Sequence, residues 1–120
     1  MDEIRLSGRM AVDPKDYDDL VEICEALADD ARGHPGVIEY SFWANGKRDT
    51  IHFREHYESA AALLGHLERL DGPTIKRLLE LARPEPTECA AADSEATRQA
   101  IETLAALGAV IEIYTPVARS

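Results

Sequence analysis

The chain has 120 residues, 45% of them hydrophobic, which suits one domain, residues 1–120, with a core of its own. Its 23 acidic against 13 basic residues leave a formal net charge of −10, a field that repels nucleic-acid phosphates and anionic membrane surfaces. No apolar run approaches the ~20 residues that cross a bilayer.

The start, Met1-Asp2-Glu3-Ile4, lacks the basic and apolar regions of a secretory signal. Only two cysteines occur, Cys24 and Cys89, without a CxxC pair. The expectation is a cytoplasmic protein with reduced thiols packed as small hydrophobes.

Residues 4–12 alternate, with Ile4, Leu6, Met10 and Val12 against Arg5, Ser7 and Arg9, so they read as a strand with Gly8 inside it. Asp13-Pro14 then changes the period: Asp13 suits a helix cap and Pro14 a first helical position. Tyr17, Leu20, Val21, Cys24, Leu27, Ala28 and Ala31 follow at three- and four-residue steps, an amphipathic stripe ended by Gly33 and Pro35. Residues 37–43 and 50–57 are rich in β-branched and aromatic side chains and flank Asn45-Gly46, which predicts a hairpin with a slightly long loop. Alternation puts Ile38, Tyr40 and Phe42 on one face and Val37 and Trp43 on the other.

The second of these strands carries His52-x-x-x-His56. On a helix that spacing would suit a metal. On a strand at about 3.3 Å per residue the two rings share a face but stand roughly 13 Å apart, too far for one ion with bonds of ~2 Å. Neither a metal nor a haem site is expected there.

Ser59 caps a helix over residues 60–70 with Leu63, Leu67 and Leu70 inward, broken by Asp71-Gly72-Pro73. Thr74 is taken as the cap of a helix over residues 75–82, which Pro84 and Pro86 end. Residues 87–91 can form a short strand, and residues 84–92 either form a strand or reach across to a partner. Asp93 or Ser94 caps a last helix through Leu107, and residues 109–116 form a final strand. The order is that of two β-α-β-like halves around a hairpin, an α+β, ferredoxin-like split βαβ with an antiparallel sheet and an extra helix and strand near the end. Apolar residues on both faces of the hairpin strands call for cover on the face without helices, and a second copy in a two-fold homodimer supplies it.

Pro35-Gly36-Val37-Ile38-Glu39-Tyr40, Glu55-His56-Tyr57-Glu58-Ser59 and Ala62-Leu63-Leu64-Gly65-His66-Leu67 together resemble the motifs of antibiotic biosynthesis monooxygenase domains, and the order of elements agrees over the whole chain. The resemblance implies a dimeric α+β barrel. It also implies a monooxygenase-like activity that uses O₂ and no bound cofactor on a small aromatic or quinol-type substrate. Tyr57 departs from the family pattern, which usually has Trp there. Haem-degrading relatives use an Asn on the first strand, where this chain has Ser7, Gly8 and Arg9. Those relatives place a Trp where His66 falls and a His near Lys76-Arg77, so haem degradation is not expected.

Oxidation of a phenol needs a base, a donor for the developing oxyanion and aromatic walls that exclude water. His66 and Tyr57 are the candidate catalytic residues, and Tyr40, Trp43 and His52 the candidate substrate pocket. Arg54 is expected in a cross-strand ion pair rather than at an oxyanion, and Glu55, set among Phe53 and Tyr57, in a structural ion pair with a partner that burial demands rather than in catalysis. The rival expectation is a non-catalytic dimeric ligand-binding or stress-associated domain. A third is a lyase or isomerase that uses His66 as base. An enzyme requires polar groups converging on an enclosed pocket beside His66, and a binding module requires walls alone.

Overall fold

The structure is a computed structural model that describes residues 2–120. A six-stranded sheet runs β2 (Val37–Ala44), β3 (Thr50–Tyr57), β1 (Ile4–Val12), β5 (Thr87–Ala91), β6 (Ile111–Tyr114), with β4 (Ala82–Pro84) also on β1. Four helices, α1 (Tyr17–Ala31), α2 (Ala60–Arg69), α3 (Gly72–Leu81) and α4 (Glu95–Ala106), complete it. The expected α+β, ferredoxin-like order is present and the sheet is open. It is mixed rather than wholly antiparallel, because β6 joins β5 in parallel after the α4 crossover.

β1 shows how alternation builds the two faces. Ile4, Leu6, Met10 and Val12 are buried toward the helices, while Arg5 and Arg9 remain exposed. Gly8 faces Phe53, whose ring lies where a side chain at position 8 would have to go: an added Cβ would meet it at 2.7 Å. The core has two parts. Ile4, Leu6, Tyr57, Leu63, Cys89 and Ile101 form one beneath α2 and α4. Met10, Val12, Leu20, Leu27, Ile51 and Leu78 form the other beneath α1 and α3. Each aliphatic side chain removed from water contributes roughly 1.5–3 kcal/mol.

Four features differ from the sequence expectation. A bulge between Val37 and Glu39 breaks the alternation of β2, so Val37 pairs with Tyr57 and packs on the core, while Ile38 is 55% exposed. Asp71, not Thr74, caps α3. Its carboxylate accepts from the Thr74 amide at 3.1 Å and the Thr74 hydroxyl at 2.6 Å, and Gly72 and Pro73 form the start of the helix that Asp71-Gly72-Pro73 was expected only to precede. The segment after α3 is one interrupted strand: β4 and β5 both pair with β1, and the Glu85 amide still reaches the Arg9 carbonyl at 2.9 Å between Pro84 and Pro86. Residues 87–91 are therefore a strand of this chain's own sheet. The final strand covers only Ile111–Tyr114 of the expected residues 109–116.

In the hairpin loop the positive φ belongs to Arg48 (59°), not to Gly46. The Asn45 side chain organises the turn by accepting from the Asp49 and Thr50 amides, each at 3.2 Å. No described helix is long and apolar enough to cross a membrane.

Candidate active site

Tyr57 ends β3 with its side chain toward the helices and is fully buried. Two residues earlier on the same face, Glu55 accepts a hydrogen bond from the Tyr57 hydroxyl. The half-buried acid therefore has a neutral partner rather than an ion pair. Tyr40 lies opposite Glu55 on β2, with its ring edge-on to Phe42 at 5.3 Å. α2 brings the fourth group. Ser59 accepts from the Ala62 amide at 3.1 Å and starts the helix, and two turns on His66 points inward, 1% exposed. Its ring centroid is 4.6 Å from that of Tyr40 and 5.5 Å from that of Tyr57.

A fifth group was not anticipated. His34 Nδ1 lies 2.7 Å from His66 Nδ1. It comes from the turn His34-Pro35-Gly36 after α1, where the Gly36 carbonyl accepts from the Glu58 amide at 2.9 Å and Gly36 has φ +77°. That glycine lets the turn sit directly against α2, which brings His34 over His66. The only sequence signal was a histidine beside the Pro-Gly pair.

Burial sets the electrostatics. It raises the Glu55 carboxyl to about 7, against the opposing pull of the Tyr57 hydrogen bond. Burial, and then the neighbouring His34, lowers the His66 imidazole to about 4. Burial, and then the Glu55 charge, pushes the Tyr40 and Tyr57 hydroxyls above their usual range. Near neutral pH the site therefore holds protonated tyrosines, a neutral His66 and a carboxyl divided between its two forms. Glu55, rather than His66, is poised to exchange a proton there.

The structure brings His66, Tyr57 and Tyr40 together. It places Trp43 and His52 opposite one another on the far face of the sheet. On that face Arg54 lies over Trp43, 5.7 Å from its ring centroid, and reaches Glu39 at 3.7 Å, a cross-strand ion pair. His56 shares the face with His52 and pairs with Glu3 at 2.9 Å. Among the described residues no group of three or more His, Cys, Asp or Glu side chains is placed to hold a metal. Cys24 and Cys89 are free and buried, and burial pushes their thiols up to about 12 and about 11.

A cleft of about 210 Å³ opens between α1 and the β2 edge, lined by Tyr17, Val21, Cys24, Phe42 and Ile51 among others. Phe42 connects it to Tyr40. An apolar cavity of about 150 Å³ holds a benzene, so this cleft is the size of one substituted ring.

The profile of the antibiotic biosynthesis monooxygenase family matches residues 4–77, more than half of the chain. The chain belongs to this family. The match takes in the whole Glu55–Tyr57–His66 cluster and His34. Among solved structures, MupZ from Pseudomonas fluorescens superposes with a TM-score of 0.80 at 19% identity, over 98% of this chain and 89% of that one. A conserved protein of unknown function from Bacteroides thetaiotaomicron gives 0.65 at 22%, over 72% of this chain and 94% of that one. Rv0793 from Mycobacterium tuberculosis gives 0.61 at 17%, over 77% and 94%. At these identities the likeness establishes the family's fold. MupZ aligns with nearly the whole chain, whereas the other two leave about a quarter of it unmatched. No curated protein matches the chain.

Proposed function

We propose that this chain is a cofactor-independent monooxygenase that oxidises a small, single-ring quinol with O₂. The observation that carries the reading is the half-buried Glu55 carboxyl, raised to about 7, hydrogen-bonded to Tyr57 and set opposite Tyr40. Glu55 takes a phenolic proton from the substrate, and the two tyrosine hydroxyls, held protonated by burial, offer donors to the phenolate. A quinol supplies all the electrons itself. One oxygen atom of O₂ joins a ring carbon, the other leaves as water with two hydrogens, and the product is the hydroxyquinone. No reductant beyond the substrate is needed.

The test is oxygen uptake by metal-free protein with a panel of one-ring hydroquinones and polycyclic phenols. Uptake above the no-protein rate is expected with the one-ring members, rising with pH through about 7 as Glu55 ionises. No uptake across the panel would overturn the enzyme reading. It would favour the rival, a non-catalytic ligand-binding domain, which draws support from the fact that none of Glu55, Tyr40, Tyr57 and His66 lines the ring-sized cleft. Ligand-induced thermal shifts without turnover would then be the finding.

We also propose a two-fold homodimer through the helix-free face of the sheet. The support is that all the helices pack on the other face and that Trp43, 55% exposed, stands in the open beside Arg54. Light scattering at micromolar concentration is expected to give twice the 13.2 kDa chain mass, and the mass of a single chain would refute the dimer. Two free buried thiols fit a reducing, cytoplasmic setting.

A further inference from the structure

His66 is buried, yet its one hydrogen-bonded ring nitrogen leads outward. Its partner, His34, is partly exposed on the turn after α1. We propose that His34 is a positioning residue and proton port for His66: it selects which His66 ring nitrogen carries the proton, and it passes protons between the buried cluster and water. The role in turnover rests on the enzyme reading above. The proton port itself does not.

The argument begins with counting. A neutral imidazole carries one N–H. Two Nδ1 atoms at 2.7 Å accommodate one proton between them, so one ring donates and the other accepts. If His66 accepts at Nδ1, its own proton sits on Nε2, on the other side of the ring. If His66 donates, Nε2 is a bare acceptor. A protonated His34 must donate, which forces the first arrangement. Loss of that charge to water permits the second. The two rings cannot both be doubly protonated, because that would place two N–H groups head to head.

The surroundings leave His34 as the exit. Tyr40 faces His66 from β2 and Tyr57 from β3, with Glu55 behind the Tyr57 hydroxyl. Among the described residues no carboxylate is hydrogen-bonded to either ring. The turn is held in place: the His34 amide donates to the Ala31 carbonyl at 3.0 Å, and the Gly36 carbonyl accepts from Glu58 at 2.9 Å. In an outward transfer, His66 Nε2 takes up a proton from the buried cluster as the proton on His66 Nδ1 passes to His34 Nδ1 and His34 Nε2 releases its own to water, so that both rings end neutral.

Nitrogen-15 NMR of the imidazoles in the full chain tests this without any substrate. In the parent protein, His66 is expected to change tautomer when the shared Nδ1–Nδ1 proton changes sides as the pH is raised. In His34→Ala that change disappears, and exchange of the His66 ring proton with water slows at least tenfold. His34→Gln offers His66 Nδ1 either an N–H or a carbonyl oxygen but cannot relay, so the coupling of the His66 tautomer to pH is expected to be lost while exchange stays slow. If His66 keeps the parent tautomer behaviour and exchange rate in either variant that folds, the proposal is overturned. With a turning-over substrate, external imidazole is expected to restore the His34→Ala rate but not that of His34→Gln. A positive NMR result with no oxygen uptake would leave the port standing and remove the oxygenase.

Discussion

Glu55→Gln is expected to lower oxygen uptake at pH 7.5 by about 10²–10⁴-fold, the usual worth of a positioned general base, and at the same time to stabilise the protein. Glutamine is nearly the same size and can still accept from the Tyr57 hydroxyl, so the packing survives while the ionisable group is gone. The stability effect follows from linkage. The folded Glu55 titrates near 7 and the unfolded one near 4.5, so its contribution is full below 4.5 and is lost as pH rises through 7. His66 behaves in the opposite sense. It titrates near 4 when folded and 6.5 when unfolded, so its contribution is present above 6.5 and is lost as pH falls toward 4. Between pH 4.5 and 6.5 the two slopes oppose one another, and the parent is expected to show nearly flat stability from this pair. The variant keeps only the His66 slope. Above pH 7 it no longer buries a charge and gains on the order of 3 kcal/mol. Urea melts at pH 5 and pH 8 measure both limbs. A variant less stable than the parent at pH 8 would show that the carboxylate is not desolvated, and the assignment of Glu55 as a tuned base would fall with it.

Gly36→Ala is the second large effect. The position has φ +77°, which an L side chain adopts at a cost of about 1–2 kcal/mol. An added Cβ would also lie 2.5 Å from the Ala62 Cβ and 3.0 Å from the Glu58 side chain. Ala62 is anchored in α2 and cannot swing aside, so either the turn lifts or the helix shifts. The expected cost is about 3 kcal/mol or more, which for a chain of this size lowers Tm by roughly 10 °C. The double variant Gly36→Ala/Ala62→Gly removes the clash and keeps the backbone strain, so it should recover part of the loss. A single variant that melts with the parent would contradict the close turn–helix approach that brings His34 over His66.

The elements that declared themselves in the sequence did so through local periodicity. The stripe from Tyr17 to Ala31 is continuous, and the β-rich runs around Asn45 leave few alternatives. That the His52–His56 pair shares one sheet face followed from the strand spacing alone. Elements fixed by tertiary contact were silent. Nothing local in Val37-Ile38-Glu39 marks the bulge, because it is imposed by the register against β3. Asp71-Gly72-Pro73 reads as a stop, although the same Asp and Pro serve equally to start α3. β4 is three residues long and exists only because β1 offers it an edge. Within the site, Tyr40, Tyr57 and His66 were legible from their types and phases. The poise of Glu55 depends on burial, and the His34–His66 pair depends on a turn docking onto a helix 32 residues further along the chain. Neither effect has a local signature. Trp43 and His52 were grouped with the site by residue type, and the pleat carries both to the other side of the sheet.

The central position of β1 has a consequence for synthesis. It leaves the ribosome before every strand that pairs with it, and is flanked on one side by β3 and on the other by β4 and β5. Its second edge stays open until Ala91 has emerged, 79 residues after Val12. At translation rates of ~5–20 residues per second that interval is roughly 4–16 seconds. During it Ile4, Leu6 and Met10 have no partner strand beyond the hairpin to shelter them. The nascent chain is therefore exposed to edge-to-edge association, and a chaperone that holds residues 4–12 would act in that interval.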